Sequence, residues 1–151
     1  MAGRLDPVTD IHVRVGEIQV VGETALGLRR IIPILGGHCA GPLLSAEVLP
    51  GGADWQLIRR DGVAEIEARY ALRTVDGALV SVLNRGLRHG PADVMAKLAA
   101  GEAVDPSLYY FRTAPQFETA SERHAWLTRT IFVGIGRRDP DLVHIEVFAL
   151  R

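Results

Sequence analysis

The stretch from Ala53 to Arg85, ADWQLIRR-DG-VAEIEARYALRTV-DG-ALVSVLNR, decides the fold. Three segments in which apolar and polar residues alternate are separated by two Asp-Gly pairs, Asp61-Gly62 and Asp76-Gly77. Period-two alternation is the signature of a half-buried strand. Asp-Gly between such segments is the strongest short-range hairpin signal, because a type I′ turn needs positive φ at both central residues. The stretch therefore reads as a three-stranded meander: Ala53–Arg60, Val63–Val75 and Ala78–Arg85.

Two-residue loops at both pairs set the register by counting back from each turn. Arg60 then faces Val63, Asp54 faces Arg69, and Arg69 faces Asn84. On this count Asp54, Arg69 and Asn84 form one row across three strands, with Gln56, Glu67 and Arg73 on the same side. Trp55, Leu57, Ile66, Ala68, Tyr70, Leu72, Leu79 and Leu83 take the other side. Two readings follow. The polar face meets water and Asp54–Arg69 is a surface ion pair worth under about 1 kcal/mol, or the polar face lines a lumen where Arg69 fixes an anionic ligand. A one-residue bulge near Pro50-Gly51-Gly52 would exchange the two faces.

Outward from the meander, strands are expected at His12–Val20, Ile31–Leu35, Leu43–Leu49, Leu108–Thr113, Trp126–Ile135 and Leu142–Leu150. One helix is expected, with Pro91 at its first position, Val94, Met95 and Leu98 at helical spacing, and Gly101 as the stop. No repeat or linker divides the 151 residues, so a single domain over residues 1–151 is expected. About eight or nine consecutive strands with one short helix point to an all-β fold, a barrel or a sandwich, with an antiparallel β-barrel the expected form; a barrel of that size can hold a small ligand in its mouth.

Composition narrows the partners. With 17 basic and 18 acidic residues the formal net charge is −1, and the chain has no basic stripe of the kind that binds nucleic acid. Arg85, Arg88 and His89 read as a solvated strand end. No apolar run approaches the roughly 20 residues of a bilayer span, and the amino terminus lacks the apolar core of a signal peptide, so a cytoplasmic protein is expected. The lone Cys39 reads as a core side chain. His12, His38, His89, His124 and His144 lack tight ligand spacing, so neither a metal nor a cofactor is expected. Gly134-Ile135-Gly136 has no helix after it and reads as a strand end rather than a dinucleotide loop.

Tyr109-Tyr110-Phe111-Arg112-Thr113, with Phe117-Glu118 and Trp126 close behind, mixes large aromatics with charged groups. Small-molecule pockets are lined this way, and barrel ends are closed this way.

Taken together, several segments resemble a known family. They are Gly36-Gly37 with Gly41-Pro42, Val48-Leu49-Pro50-Gly51-Gly52-Ala53-Asp54-Trp55-Gln56, both Asp-Gly pairs, Asn84-x-Gly86, Tyr110-Phe111-Arg112-Thr113, Phe117-Glu118-Thr119 and Trp126-Leu127. The chain is similar, from about Gly36 to Leu150, to domain-of-unknown-function family 3237, small bacterial and fungal proteins. The resemblance implies a β-barrel and no settled activity. It adds weight to Asp54, Trp55, Asn84, Tyr110, Arg112, Glu118 and Trp126, which match motif positions. The family often has Asn after Trp-Leu, where this chain has Thr128.

The expected function is small-molecule binding in the barrel, extended to cofactor-independent isomerase, cyclase or lyase chemistry. Asp54 or Glu118 would move a proton and Arg112 would hold an oxyanion, while Trp55, Arg69, Asn84, Tyr110 and Trp126 would contact the ligand. Asp54 beside an arginine would be a weak base, so Glu118, with no arginine expected directly opposite it, is the better base candidate. The competing expectation is a non-catalytic binding or structural barrel, with a homo-oligomer as one way to cover strand edges. Sequence alone leaves open whether the protein is an enzyme.

Overall fold

Alternation dominates the chain, and ten strands form from it: β1 (Leu5–Val15), β2 (Gln19–Thr24), β3 (Gly27–Ala40), β4 (Ala46–Val48), β5 (Ala53–Ile58), β6 (Ala64–Thr74), β7 (Leu79–His89), β8 (Tyr110–Glu118), β9 (Ile131–Arg138) and β10 (Leu142–Leu150). The structure, a computed structural model, describes residues 3–151. Every strand pair is antiparallel, and the order β1-β10-β9-β8-β7-β6 returns through β4 and β5 to β3, which pairs with β1. The sheet thus closes on itself as an eight-stave barrel. Strands β4 and β5 share one stave between β3 and β6, and β2 pairs with β3 alone. Closure removes the exposed edges that an open sheet would leave.

The interior is built by alternation. Residues Ile66, Ala68, Tyr70 and Leu72 of β6 are buried, as are Val80 and Val82 of β7, Phe111 and Phe117 of β8, and Ile145 and Val147 of β10. Gly134 and Gly136 of β9 also point inward. A Cβ on Gly136 would lie 2.6 Å from the Phe111 ring, so the glycine makes room for the aromatic. Cys39 is buried in this core, and burial pushes its thiol up to about 12, which makes it a packing group.

The meander forms as expected, but both turns differ. Arg59 N–H donates to the Val63 carbonyl (2.9 Å) and Gly62 N–H to the Arg59 carbonyl (3.0 Å). Thr74 and Ala78 close the second loop in the same way. Each loop has three residues, with Gly62 (φ +87°) and Gly77 (φ +86°) alone in the left-handed region. A type I′ turn would have put Asp61 and Asp76 there too. Register therefore slips by one residue at each hairpin: Asp54 faces Ala68, and Ala68 faces Asn84. The two slips cancel between the first and third strands, so Asp54 and Asn84 share a face. They do not cancel for the middle strand, and Arg69 and Arg73 lie exposed on the outer face. The expected Asp54–Arg69–Asn84 row is corrected to Asp54–Ala68–Asn84.

At Pro50-Gly51-Gly52 the stave changes from β4 to β5. Val48 pairs with Leu72 and Ala53 with Arg69, so two extra residues are accommodated and the faces are not exchanged. Other bounds also move. The expected strand at His12–Val20 divides into the end of β1 and the start of β2, and β1 begins at Leu5. Trp126 belongs to a 3-10 turn, Ala125–Arg129, rather than to a strand. The helix α1 covers Ala92–Ala99, with Pro91 at its N-cap rather than at its first position. No helix among the described residues is long and apolar enough to cross a membrane.

Candidate functional site

On four staves the inward-facing stripe changes from apolar to polar toward one end of the barrel. Strand β3 presents Ile34 and Ile32, then Arg30. Strand β7 presents Val80 and Val82, then Asn84 and Arg88. Strand β9 presents Phe132, Gly134 and Gly136, then Arg138, and β5 contributes Asp54 and Gln56. Residues two apart on a strand share a face, so each polar group is carried inward by the same parity that buries its apolar neighbours.

These residues border two neighbouring spaces that share Arg88 and Arg138 in their linings. The inner one, about 50 Å³, is lined by Ile32, Ile34, Ile66, Tyr70, Phe111 and Ile145 together with Asp54, Gln56, Asn84, Arg88, Thr113 and Arg138. The outer one, about 200 Å³, is the mouth. Arg88 and Arg138 border it as well, with Arg30, Ile58 and Pro140, and Met95 and Leu98 of α1 stand over it. The connection from Gly86 to Ser107 thus places its helix at the barrel mouth. At the opposite end of β8, Phe117 packs edge-on against Phe132 with ring centres 5.0 Å apart, and Trp126 tilts over Phe132 at 5.9 Å.

The polar groups are organised by hydrogen bonds. Glu67 N–H donates to Asp54 Oδ1 (2.9 Å). The fully buried Gln56 donates from Nε2 to Asp54 Oδ2 (3.3 Å) and accepts at Oε1 from Arg30 Nε (3.1 Å) and Nη2 (2.5 Å). Tyr109 Oη accepts from the Arg138 backbone N–H (2.9 Å), and the Arg138 side chain donates Nη1 to the Asp139 carbonyl (2.9 Å). Arg88 is 7% exposed, and its guanidinium carbon stands 5.3 Å from the centre of the Phe111 ring. Three buried atoms of residues that line the inner space have no hydrogen-bond partner among the described residues: Asn84 Oδ1, Thr113 Oγ1 and Arg88 Nε.

Electrostatics follow from burial. Loss of water raises the Asp54 pKa above the ordinary carboxylate value, against the opposing pull of the Glu67 amide, Arg88, Gln56 and Arg30. Burial, reinforced by Arg138, pushes Arg88 down to about 10. Burial also lowers Arg30 and Arg138. An aspartate held this way takes up a proton more readily than one in water, and the guanidinium groups around it favour negative charge.

Of the residues singled out from sequence, the structure brings Asp54 and Asn84 together in the inner space. The others lie elsewhere. Arg69 is on the outer face because of the turn register. Tyr110, Arg112 and Glu118 occupy the outward positions of β8, alternating with buried Phe111, Thr113 and Phe117. Arg112 lies over the Tyr110 ring at 5.5 Å, and Tyr110 stacks on His89 at 4.8 Å. Trp55 is 47% exposed and borders an outer groove with Arg29, Glu67 and Arg85. Trp126 packs at the far end. Thr128 donates to the Ala125 carbonyl (2.7 Å) within its own 3-10 turn. The histidines are less scattered than the sequence suggests: His38, His12 and His144 stack across β3, β1 and β10, with ring centres 4.8 and 4.4 Å apart. Parallel rings do not converge on one point, and no group of three or more His, Cys, Asp or Glu among the described residues could hold a metal ion.

Sequence reading missed Arg30, Arg88, Arg138, Gln56 and Thr113 as site residues. The signal was parity: each lies an even number of positions from an inward apolar residue on its own strand.

Comparison with known proteins places this barrel. Over 140 residues the chain is 49% identical to a UPF0311 protein of Rhodopseudomonas palustris strain TIE-1, covering 93% of this chain and 92% of that protein. The crystal structure of a conserved Rhodopseudomonas palustris protein of unknown function superposes with a TM-score of 0.97 at 45% identity, covering 100% and 99% of the two chains. An enzyme from Penicillium herquei shares the fold at a TM-score of 0.74 and 19% identity, covering 100% and 96%, a likeness that shows the fold alone. Residues 3–150 match the family model of proteins of unknown function DUF3237, and the chain belongs to that family.

Proposed function

We propose that the barrel binds a small organic molecule at its polar end and that Asp54 moves a proton on it, in an isomerisation, cyclisation, hydration or elimination that needs no cofactor. The observation that carries this reading is the placement of Asp54. Asp54 lines the largely buried inner space, its proton affinity is raised by burial, and Arg88 and Asn84, which line the same space, have buried atoms, Nε and Oδ1, without partners among the described residues. Buried polar groups are normally paired, and unpaired donors and acceptors around a buried acid are how sites orient a ligand.

In this reading the base is Asp54 rather than Glu118, which lies on the outer face of β8. Asp54 takes a proton from an acidic C–H or O–H of the ligand and returns it to another atom of the ligand or to a leaving group. Asn84 and Thr113 set the ligand's orientation, and the arginines stabilise the negative charge left behind. Gln56, bonded on both sides, holds the Asp54 carboxylate in place.

Two measurements test this. In an amide-resolved NMR screen of small organic fragments, binders should shift Gln56, Asn84, Thr113 and Gly136. Shifts confined to Trp55, Arg85 and Leu87 of the outer groove would move the site outside and end the reading. For any binder with an acidic C–H, the protein in D2O should catalyse exchange of that hydrogen, and Asp54→Asn should not. Binding in the lumen without exchange would leave a binding barrel and remove the catalytic role.

A further inference from the structure

We infer that the ligand is an organic anion and that Arg30, Arg88 and Arg138 form its anion subsite, at the junction of the inner chamber and the mouth. This rests on the lumen being a ligand site and adds the chemical class of what enters it.

The argument begins with charge. Three arginines border the mouth together, and Arg88 and Arg138 also border the chamber. None of the three takes part in a side-chain ion pair among the described residues. Among the described residues Arg30 is bonded to a neutral amide, Arg138 to a backbone carbonyl, and Arg88 to no side chain, with the face of Phe111 beside it. The acidic groups near enough to matter are Asp54, on the chamber side, and Asp139 and Asp141, beside Arg138. At the junction Arg88 is set against two other arginines and one carboxylate, and it is buried. Buried charges are ordinarily paired, because an isolated one is costly to keep. Arg88 Nε, which has no partner, supplies the donor for an incoming oxygen.

Shape and polarity narrow the anion. A guanidinium presents its N–H groups in a planar fork that matches a carboxylate or a delocalised enolate or phenolate. The walls on the mouth side are Ile18, Ile58, Met95 and Leu98, an apolar bed suited to a hydrocarbon or aromatic body. Asp54 opposes a second negative charge. A monoanion with an apolar body meets all these conditions, whereas inorganic phosphate would leave the apolar walls without a partner.

The test compares three probes by calorimetry at pH 7 and low salt: 2-naphthoate, its neutral counterpart 2-naphthalenemethanol, and inorganic phosphate. The expected result is that 2-naphthoate binds at least about tenfold tighter than the alcohol, the size of a lost charge-assisted hydrogen bond. Arg88→Met and Arg30→Met should each remove about tenfold from naphthoate binding and affect alcohol binding much less, with melting curves confirming that both variants fold. Equal binding of acid and alcohol would overturn the anion subsite and leave the ligand-binding reading intact. Tighter binding of phosphate than of naphthoate would overturn the organic part of the inference. Failure of all three probes, with no lumen shifts in the fragment screen, would overturn the inference and the reading beneath it together.

Discussion

Replacing Arg88 with methionine should stabilise the free protein, although Arg88 is one of its most buried polar side chains. Burial and the neighbouring Arg138 lower its pKa from 12.5 to about 10. At 1.36 kcal/mol per pH unit, that depression corresponds to roughly 3 kcal/mol of disfavoured cation. The sign is that of a base depressed by folding: the penalty is fully present below pH 10 and fades only as pH rises from there toward 12.5. Against it stands the contact with Phe111, a cation–π interaction worth about 1–2 kcal/mol when desolvated. The difference favours the unbranched, apolar methionine by about 1–2 kcal/mol. For a chain of this size each kcal/mol moves the midpoint by about 2–4 °C, so Arg88→Met should melt about 2–8 °C higher at pH 7. Differential scanning calorimetry gives the midpoint, and urea unfolding with an unchanged slope confirms that the change is in stability. A variant that melts more than about 2–4 °C below the wild type would refute the reasoning and make Arg88 a structural cation with its partner in the fold.

Asp54→Asn should also stabilise the protein at pH 7. Folding raises the Asp54 pKa, so the penalty is absent below the unfolded value of 3.8 and complete above the folded one; the variant's advantage in urea should therefore disappear as pH falls below about 4. Gly136→Ala should lower stability by about 1–3 kcal/mol in thermal melts, because the added carbon meets the Phe111 ring at 2.6 Å with packed strand behind it. Gly62→Ala and Gly77→Ala should each cost about 1 kcal/mol by the same measurement, from backbone conformation alone, since an added Cβ would meet nothing within 4 Å at either position. In the histidine stack, partial burial and then the neighbouring His144 and His38 lower the pKa of His12. An NMR titration should find it below 6.5, with its contribution to stability lost as pH falls through 6.5 toward that lower value.

Alternation made the barrel legible, and the same alternation hid its interior chemistry. Asp-Gly is compatible with a two-residue I′ turn and with a three-residue loop in which glycine alone takes positive φ. What separates them is whether the aspartate side chain is better used with the backbone right-handed. Here Asp61 is held by Arg59 and by the Val63 N–H, while Asp76 bonds to Thr74 and His124. His124 is 48 residues further along the chain, so no local reading of that turn includes it. The resulting slips came in a pair, which is why Asp54 and Asn84 stayed on one face while Arg69 left it.

The arginines were lost for a different reason. A strand read by polarity assigns charged residues to solvent, and by that rule Arg88 at the end of β7 is a wetted terminus. Parity assigns it inward, in line with Val80, Val82 and Asn84, and the same test assigns Arg30 from Ile32 and Arg138 from Phe132. Motif resemblance does not separate the two, because Trp55, Tyr110, Arg112 and Glu118 match the family as Asp54 and Asn84 do and still lie outside the lumen. In a closed barrel a charged residue on the buried parity of its strand faces the lumen or its mouth, where partners are few. Arg30 and Arg138 reach neutral acceptors and Arg88 reaches an aromatic face, which is why parity, more than polarity or motif, points to the end of this barrel where an anion would be held.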